Sequence, residues 1–331
     1  MIKRLAAIGC IGLLAATICA TAHAWQQAPA TAAPTPASSP ATPTPQAPQE
    51  EAAENPAPQL PPTTDPKEIV RRAVEVDHHN FERAQKYTCM QHQVVKHLDK
   101  HGNVKSTENK TYDINFYFGE FYARLVQVDG KALSEREQKK EDEKLEKFLA
   151  KRRNESEEDR RKRLDKEKKE REEGRAFERD VVNAYDFRLV GQDQVSGEDT
   201  WVIEATPRKD FKSTQPHADM LKKMKGKMWI EKKDYNWVKV EAEATETISF
   251  GLFLFRIHPG SRFVLETAHI NHEFWALERL YINGSARIAL LKNEAIEQED
   301  TFSNYKKFSS TVTILPGVRE VPAEPPTIPP K

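Results

Sequence analysis

Cysteine is scarce in this 331-residue sequence. Of the three, Cys10 and Cys19 fall in an N-terminal apolar run, which leaves Cys89 alone in the rest of the chain. One thiol makes no intramolecular disulfide, so the fold needs a hydrophobic core rather than covalent staples. Cys89 itself sits in a strand-like stretch and is expected as a small apolar residue there. A charge bias is lacking too. The 51 basic and 51 acidic residues cancel, which excludes the basic footprint of a nucleic-acid binder. The motifs of catalysis are missing: no Gly-rich phosphate loop, no G-x-S-x-G elbow, no H-E-x-x-H and no C-x-x-C occurs. No catalytic residue, metal site or cofactor is expected, and the chain reads as non-enzymatic.

The longest apolar run is at the start. Lys3 and Arg4 precede the segment from Leu5 to Ala20, and Ala22-His23-Ala24 follows it. A basic n-region, a short apolar h-region and an A-x-A site make a secretory signal, so the mature chain should begin at Trp25 with no transmembrane span. Ile18 before Cys19 and the short run before Cys10 do not suit lipidation. The expected address is the periplasm, or beyond it. Removal of Lys3 and Arg4 leaves a mature net charge near −2.

Residues 25–64 are rich in Pro, Ala and Thr and poor in large apolar side chains. Such a composition buries too little to offset ordering entropy, so a disordered linker is predicted. The Pro-rich tail at 317–331 is predicted to be the same. Between them, 65–316 reads as one domain.

Asp65-Pro66-Lys67-Glu68 is a helix start, with an N-cap, a proline at the first helical position and an acid at the third. Ile69, Ala73 and Val76 continue it at helical spacing to about Arg83. Strands are predicted at Tyr87–Leu98, Thr111–Tyr117 (Tyr112, Ile114 and Phe116 on one face) and Phe121–Val128. From Lys131 to Asp180, 36 of 50 residues are charged, 19 basic and 17 acidic. Two capping boxes, at Ser134 and Ser156, and i,i+4 pairs such as Glu143/Lys147 predict two solvated helices in an insertion at 131–174, projecting as a hairpin or arm. Arg175–Phe187 reads as a second core helix. Strands then dominate: Phe187–Gly191, Asp199–Thr206, Gly226–Lys232, Asn236–Thr247, Phe250–Ile257, Arg262–Ile270, Leu277–Ile282, Ser285–Lys292 and Tyr305–Ile314, with a turn expected at Asn283-Gly284. The class is α+β: about ten antiparallel strands with core helices.

The histidines suggest one metal candidate, His269-Ile270-Asn271-His272-Glu273. Residues three apart on a strand point to opposite faces, so the pair converges only if the strand ends between them. Aromatic residues cluster in the second half and are expected mostly as core.

One stretch of motifs resembles a known group. Gly197-Glu198-Asp199-Thr200-Trp201-Val202-Ile203-Glu204-Ala205-Thr206-Pro207, then Gly226-Lys227-Met228-Trp229-Ile230-Glu231, then Val238-Lys239-Val240-Glu241, is similar to the periplasmic lipoprotein-carrier superfamily of LolA, LolB and RseB-like proteins. Glu231 departs from the usual Asp, and the charged segment is not part of the basic fold. The resemblance implies an unclosed, strongly curved half-barrel with helices on its concave side, holding lipid or lipoprotein acyl chains in a groove. The matching positions Trp201, Ile203, Trp229 and Ile230 are the groove candidates. The other reading is an envelope scaffold with a filled sheet core, which binds a partner protein through its charged arm.

Overall fold

The computed structural model of the chain describes residues 63–215, 218–250, 255–288 and 292–307. The expected signal segment, nearly all of the linker, the C-terminal tail and the extension of the last strand to Ile314 lie outside the described residues.

Helix α1 spans Pro66–Ala84 and begins as its sequence dictates. The Asp65 side chain accepts a hydrogen bond from the Lys67 N–H at 3.2 Å, and Pro66 occupies a position whose N–H would be orphaned in any case. Ile69, Val70, Ala73 and Val74 form one buried stripe. Strands β1 (Tyr87–Leu98), β2 (Val104–Tyr117), β3 (Glu120–Val128) and β4 (Lys131–Ala132) follow as a meander. Helices α2 (Glu135–Arg153) and α3 (Glu157–Ala184) come next. The remainder is β5 (Tyr185–Val195), β6 (Glu198–Pro207), a 3-10 turn at Ala218–Lys223, β7 (Met224–Glu231), β8 (Trp237–Ala244), β9 (Ile248–Phe250), β10 (Phe255–Ile257), β11 (Arg262–Ile270), β12 (Phe274–Ile288) and β13 (Lys292–Lys307).

All pairings are antiparallel, and the sheet runs β4-β3-β2-β1-β13-β12-β11-β8-β7-β6-β5 without closing, with β9 and β10 attached at β12. One face carries α1 and the end of α3; we call it the inner face. Its core joins Val70 and Ala73 of α1, Phe177 and Val181 of α3, and strand residues such as Ile203, Ile230 and Phe263. Polar ties fix α1 there. Asn80 donates to the Asn236 side chain at 2.8 Å and accepts from the Trp275 N–H at 3.1 Å. The other face carries cross-strand charge pairs, among them Lys239–Glu266 at 3.6 Å and Arg279–Glu299 at 2.6 Å, and meets solvent.

The structure departs from expectation in several places: β2 begins at Val104 rather than Thr111, and helix α2 packs on β3 through Phe148 and Tyr122 instead of projecting. Asn283-Gly284 is no turn. It lies inside β12, where a Cβ on residue 284 would stand 2.4 Å from Ser261 Oγ. The glycine therefore answers a close approach of chain, not a reversal. Strand β13 begins at Lys292, through a charged run that lacks a strand pattern. Finally, α3 is continuous through Gly174 to Ala184, so the charged segment and the second core helix are a single helix.

Candidate ligand groove

The inner face has two halves. From β5 to β12 it is mostly packed: Ile203, Ile230, Trp237, Phe263 and Leu280 are buried, while Phe187, Leu189, Val240, Ala242 and Leu277 are half-buried. The sequence-predicted groove residues lie in this half. Ile203 and Ile230 are fully buried in the core, and Trp201 packs on Tyr235 with ring centroids 5.4 Å apart. Tyr235 in turn accepts a hydrogen bond from the buried Arg72 guanidinium at 2.9 Å. Trp229 alternates to the outer face. There its indole donates to Asp193 at 3.1 Å and Lys239 lies over its ring. Three of the four are thus brought together and the fourth is not. A small apolar cleft of about 60 Å³ opens between α3, the 3-10 turn and β6–β8, lined by Phe177, Val181, Met220, Met224 and Met228. One water needs roughly 10–15 Å³ on that scale, so the cleft has the volume of only a few waters.

The half formed by β1, β2 and β3 is different. The registers Cys89↔Ile114, Gln91↔Tyr112, Tyr112↔Leu125, Ile114↔Ala123 and Phe116↔Phe121 place these side chains on one face. Phe121 meets Phe116 at 4.9 Å and Phe81 of α1 at 6.4 Å, which makes this the inner face. Tyr112, Ile114, Phe116, Phe121, Ala123 and Leu125 are all only half-buried. A contiguous row of aliphatic and aromatic side chains is therefore left partly open beside a packed core.

Further along the same strands the face turns polar. Asp300 of β13 is buried, and its carboxylate accepts from Gln91, Gln93 and Gln298 at 2.8, 2.9 and 2.5 Å. Burial pushes the Asp300 carboxyl up, against the pull of the three amides. Lys110, opposite Gln93, pairs with Glu108 at 2.6 Å. Burial also pushes the Cys89 thiol up to about 12, which makes it an inert apolar residue, as the sequence suggests. Tyr112 is likewise pushed up to about 12 by burial.

The charged helices secure this half. Tyr122, next to Phe121, points to the outer face and meets Phe148 of α2 at 5.0 Å, beside Leu145 and Leu149. Arg152 pairs with Glu120, and with Glu155 at 3.3 Å. Arg163 of α3 bonds both Glu155 oxygens at 3.0 Å, Glu167 at 2.9 Å and the Phe118 carbonyl at 3.2 Å. These partners are nearly buried, and the Arg163 guanidinium holds the Glu155 carboxyl below its ordinary value. The two helices thus grip the tip of the β2–β3 hairpin from the outer face before α3 runs into the inner core.

His269 and His272 do come together. Strand β11 ends at Ile270, and Asn271 and His272 have positive φ, so the rings lie 5.5 Å apart, with His269 stacked on Trp275. Among the described residues no group of three or more His, Cys, Asp or Glu side chains is placed to hold a metal ion.

No protein-family model and no curated protein matches the chain. Solved structures do. The chain is similar to a DUF1329 family protein from Desulfovibrio piger (13% identity over 75% of this chain and 96% of that one, TM-score 0.29). It is similar to a putative outer membrane lipoprotein-sorting protein domain from Vibrio parahaemolyticus (10%, 74% and 95%, TM-score 0.31). It is also similar to a LolA superfamily protein from Nitrosomonas europaea (10%, 75% and 95%, TM-score 0.27). No helix among the described residues is long and apolar enough to cross a membrane.

Proposed function

We propose that this chain is a non-enzymatic periplasmic carrier or sensor that holds lipid or lipoprotein acyl chains on the open half of its inner face. The observation that carries the reading is the row Ile114, Phe116, Phe121, Ala123 and Leu125, a contiguous run of half-buried apolar side chains across β2 and β3. An acyl chain laid on that row would remove apolar surface from water, at roughly 25 cal/mol per Å².

Curvature supports a groove rather than a flat platform. Strands β3 and β5 are nine steps apart in the sheet order, about 43 Å if flat at ~4.8 Å per strand. Helix α1, with 19 residues and so about 28 Å long, packs against β5 and yet touches Phe121 of β3. A sheet that meets one short helix from both directions wraps around it as an unclosed half-barrel, with α1 and the end of α3 on the concave side. In this reading Trp201, Ile203 and Ile230 form the closed end of the groove, and Trp229 stands outside it.

The packed β5–β12 half favours a second reading, an envelope scaffold that binds a protein partner through α2 and α3. Substitution separates the two. Ile114→Asp and Phe121→Asp should keep cooperative unfolding but lose tenfold or more in affinity for a fluorescent fatty acid. Ile203→Asp, in the buried core, should abolish folding. Wild-type probe affinity in both groove variants would favour the scaffold.

A further inference from the structure

The sheet does not close, so it has two edges. An edge strand leaves a row of main-chain N–H and C=O groups unpaired, and proteins guard such rows with short strands, like charges, bulges or a covering element. The β4 edge is guarded: β4 is two residues long, and α2 packs on β3 beside it. The other edge is β5, with 11 residues, which pairs on one side only, with β6, among the described residues. Its guard is a bulge between Leu189 and Gly191. Before that bulge, from Tyr185 to Leu189, the edge is regular.

The ladder to β6 tells which groups face out. The Arg208 N–H donates to the Ala184 carbonyl at 2.8 Å. Pairs in an antiparallel ladder alternate, so Asp186 and Arg188 also turn their main-chain groups to β6, opposite Thr206 and Glu204. Tyr185, Phe187 and Leu189 turn theirs to the free edge. The partner of Tyr185 on β6 is Pro207, which has no N–H to give, in keeping with this phase.

The free row is complementary to itself. An antiparallel copy centred on Phe187 sets Phe187 opposite Phe187, Tyr185 opposite Leu189 and Asp186 opposite Arg188. Tyr185, Phe187 and Leu189 face inward at the rim of the core, the first buried and the other two half-buried. Asp186 and Arg188 face outward, with side-chain exposures of 79% and 73%. Their neighbours within the chain are Arg208, 4.0 Å from Asp186, and Glu204, which pairs with Arg188. An edge of like charges would repel its own copy, whereas this one sets acid against base on both sides of its centre.

We infer that β5 pairs with β5 of a second copy of this chain, about a two-fold axis through Phe187. About six main-chain hydrogen bonds then close across the axis, shared among Tyr185, Phe187 and Leu189 of each copy. Directly opposed side chains share a face, so the two inner faces become one continuous surface, with the two open halves at its far ends. The pairing goes beyond the carrier reading and does not rest on it.

The experiment is sedimentation velocity of the mature chain from Trp25, at concentrations from micromolar to submillimolar. Wild type should pass from monomer to dimer over that range. Asp186→Arg sets two bases against each other, and Arg188→Asp two acids. Each variant alone should dimerise tenfold or more weakly, with the monomer's thermal unfolding kept, since exposed pairs add little to stability. Mixed together, the two should recover wild-type association, because each then meets the opposite charges of the other. Phe187→Cys should crosslink into a dimer under mild oxidation, as directly opposed Cα atoms lie about 5.5 Å apart, within disulfide reach. Leu189→Cys, displaced from its own copy by about 13 Å along the strand, should not. A wild type that stays monomeric throughout overturns the inference and leaves the edge to a strand of another protein. A dimer that both charge variants retain, and that Phe187→Cys does not crosslink, overturns it as well.

Discussion

At the residue scale, the Asp300 cluster decides how a charge is tolerated inside the sheet. Its folded pKa is raised above the ordinary 3.8, chiefly by burial. The folded state therefore binds the proton more tightly than the unfolded chain. Its stabilising contribution is complete below the unfolded value and is lost as pH rises through the folded one. At neutral pH the buried charge is a cost that three glutamine amides partly offset. Asp300→Asn should thus raise the melting temperature at pH 7 to 8, by about 1–3 kcal/mol of stability, with the gain vanishing toward pH 4. A loss of stability at neutral pH would mean that the amide hydrogen bonds outweigh burial. Gly284 offers a second test. Ala at this position drives a Cβ into Ser261, which overpacks the sheet by about 1–3 kcal/mol. Ser261→Gly in the same chain should recover part of that loss in thermal denaturation.

At the element scale, the charged helices divide into a gripping face and a solvated one. The pair Arg152–Glu120 is nearly buried, with side-chain exposures of 8% and 10%, while Lys162–Glu158 stands at 67% and 66%. Removing one member of a nearly buried pair takes away the charge that offsets the other's desolvation, so Arg152→Ala should cost about 3 kcal/mol. Lys162→Ala should change stability by less than about 0.5 kcal/mol. Equal effects in urea titrations would contradict the division. The sequence shows the solvated face plainly through its acid-to-base spacing. It hides the gripping face, because Leu145, Phe148 and Leu149 are few and their partners Tyr117 and Tyr122 lie in another element. Gly174 misled for a different reason. Composition changes there, but a glycine costs only about 1 kcal/mol in a helix interior, and tertiary packing carries α3 through it.

At the scale of the whole molecule, local patterns were enough to read most of the sheet. Strands Tyr87–Leu98 and Arg262–Ile270 stand where periodicity puts them, because apolar alternation and turn residues agree there. Strand β13 escaped because its inner positions include Gln298 and Asp300, polar residues buried by hydrogen bonding to Gln91 and Gln93 across the sheet. The groove was half legible. Tyr112, Ile114 and Phe116 were visible as one face of a strand. That this face is the one left open depends on where α1 lies, a tertiary fact. The strand motifs at 197–207 and 226–231 drew attention to Trp201, Ile203, Trp229 and Ile230 instead.

The proposed role places acyl chains on the open half of the inner face. Its most direct test is organic extraction and mass spectrometry of the mature protein, purified without detergent after export to a periplasm. Near-stoichiometric phospholipid or fatty acid is expected, displaced by added lipid and absent from the Phe121→Asp variant. A stable, lipid-free protein that takes up no added lipid would contradict it.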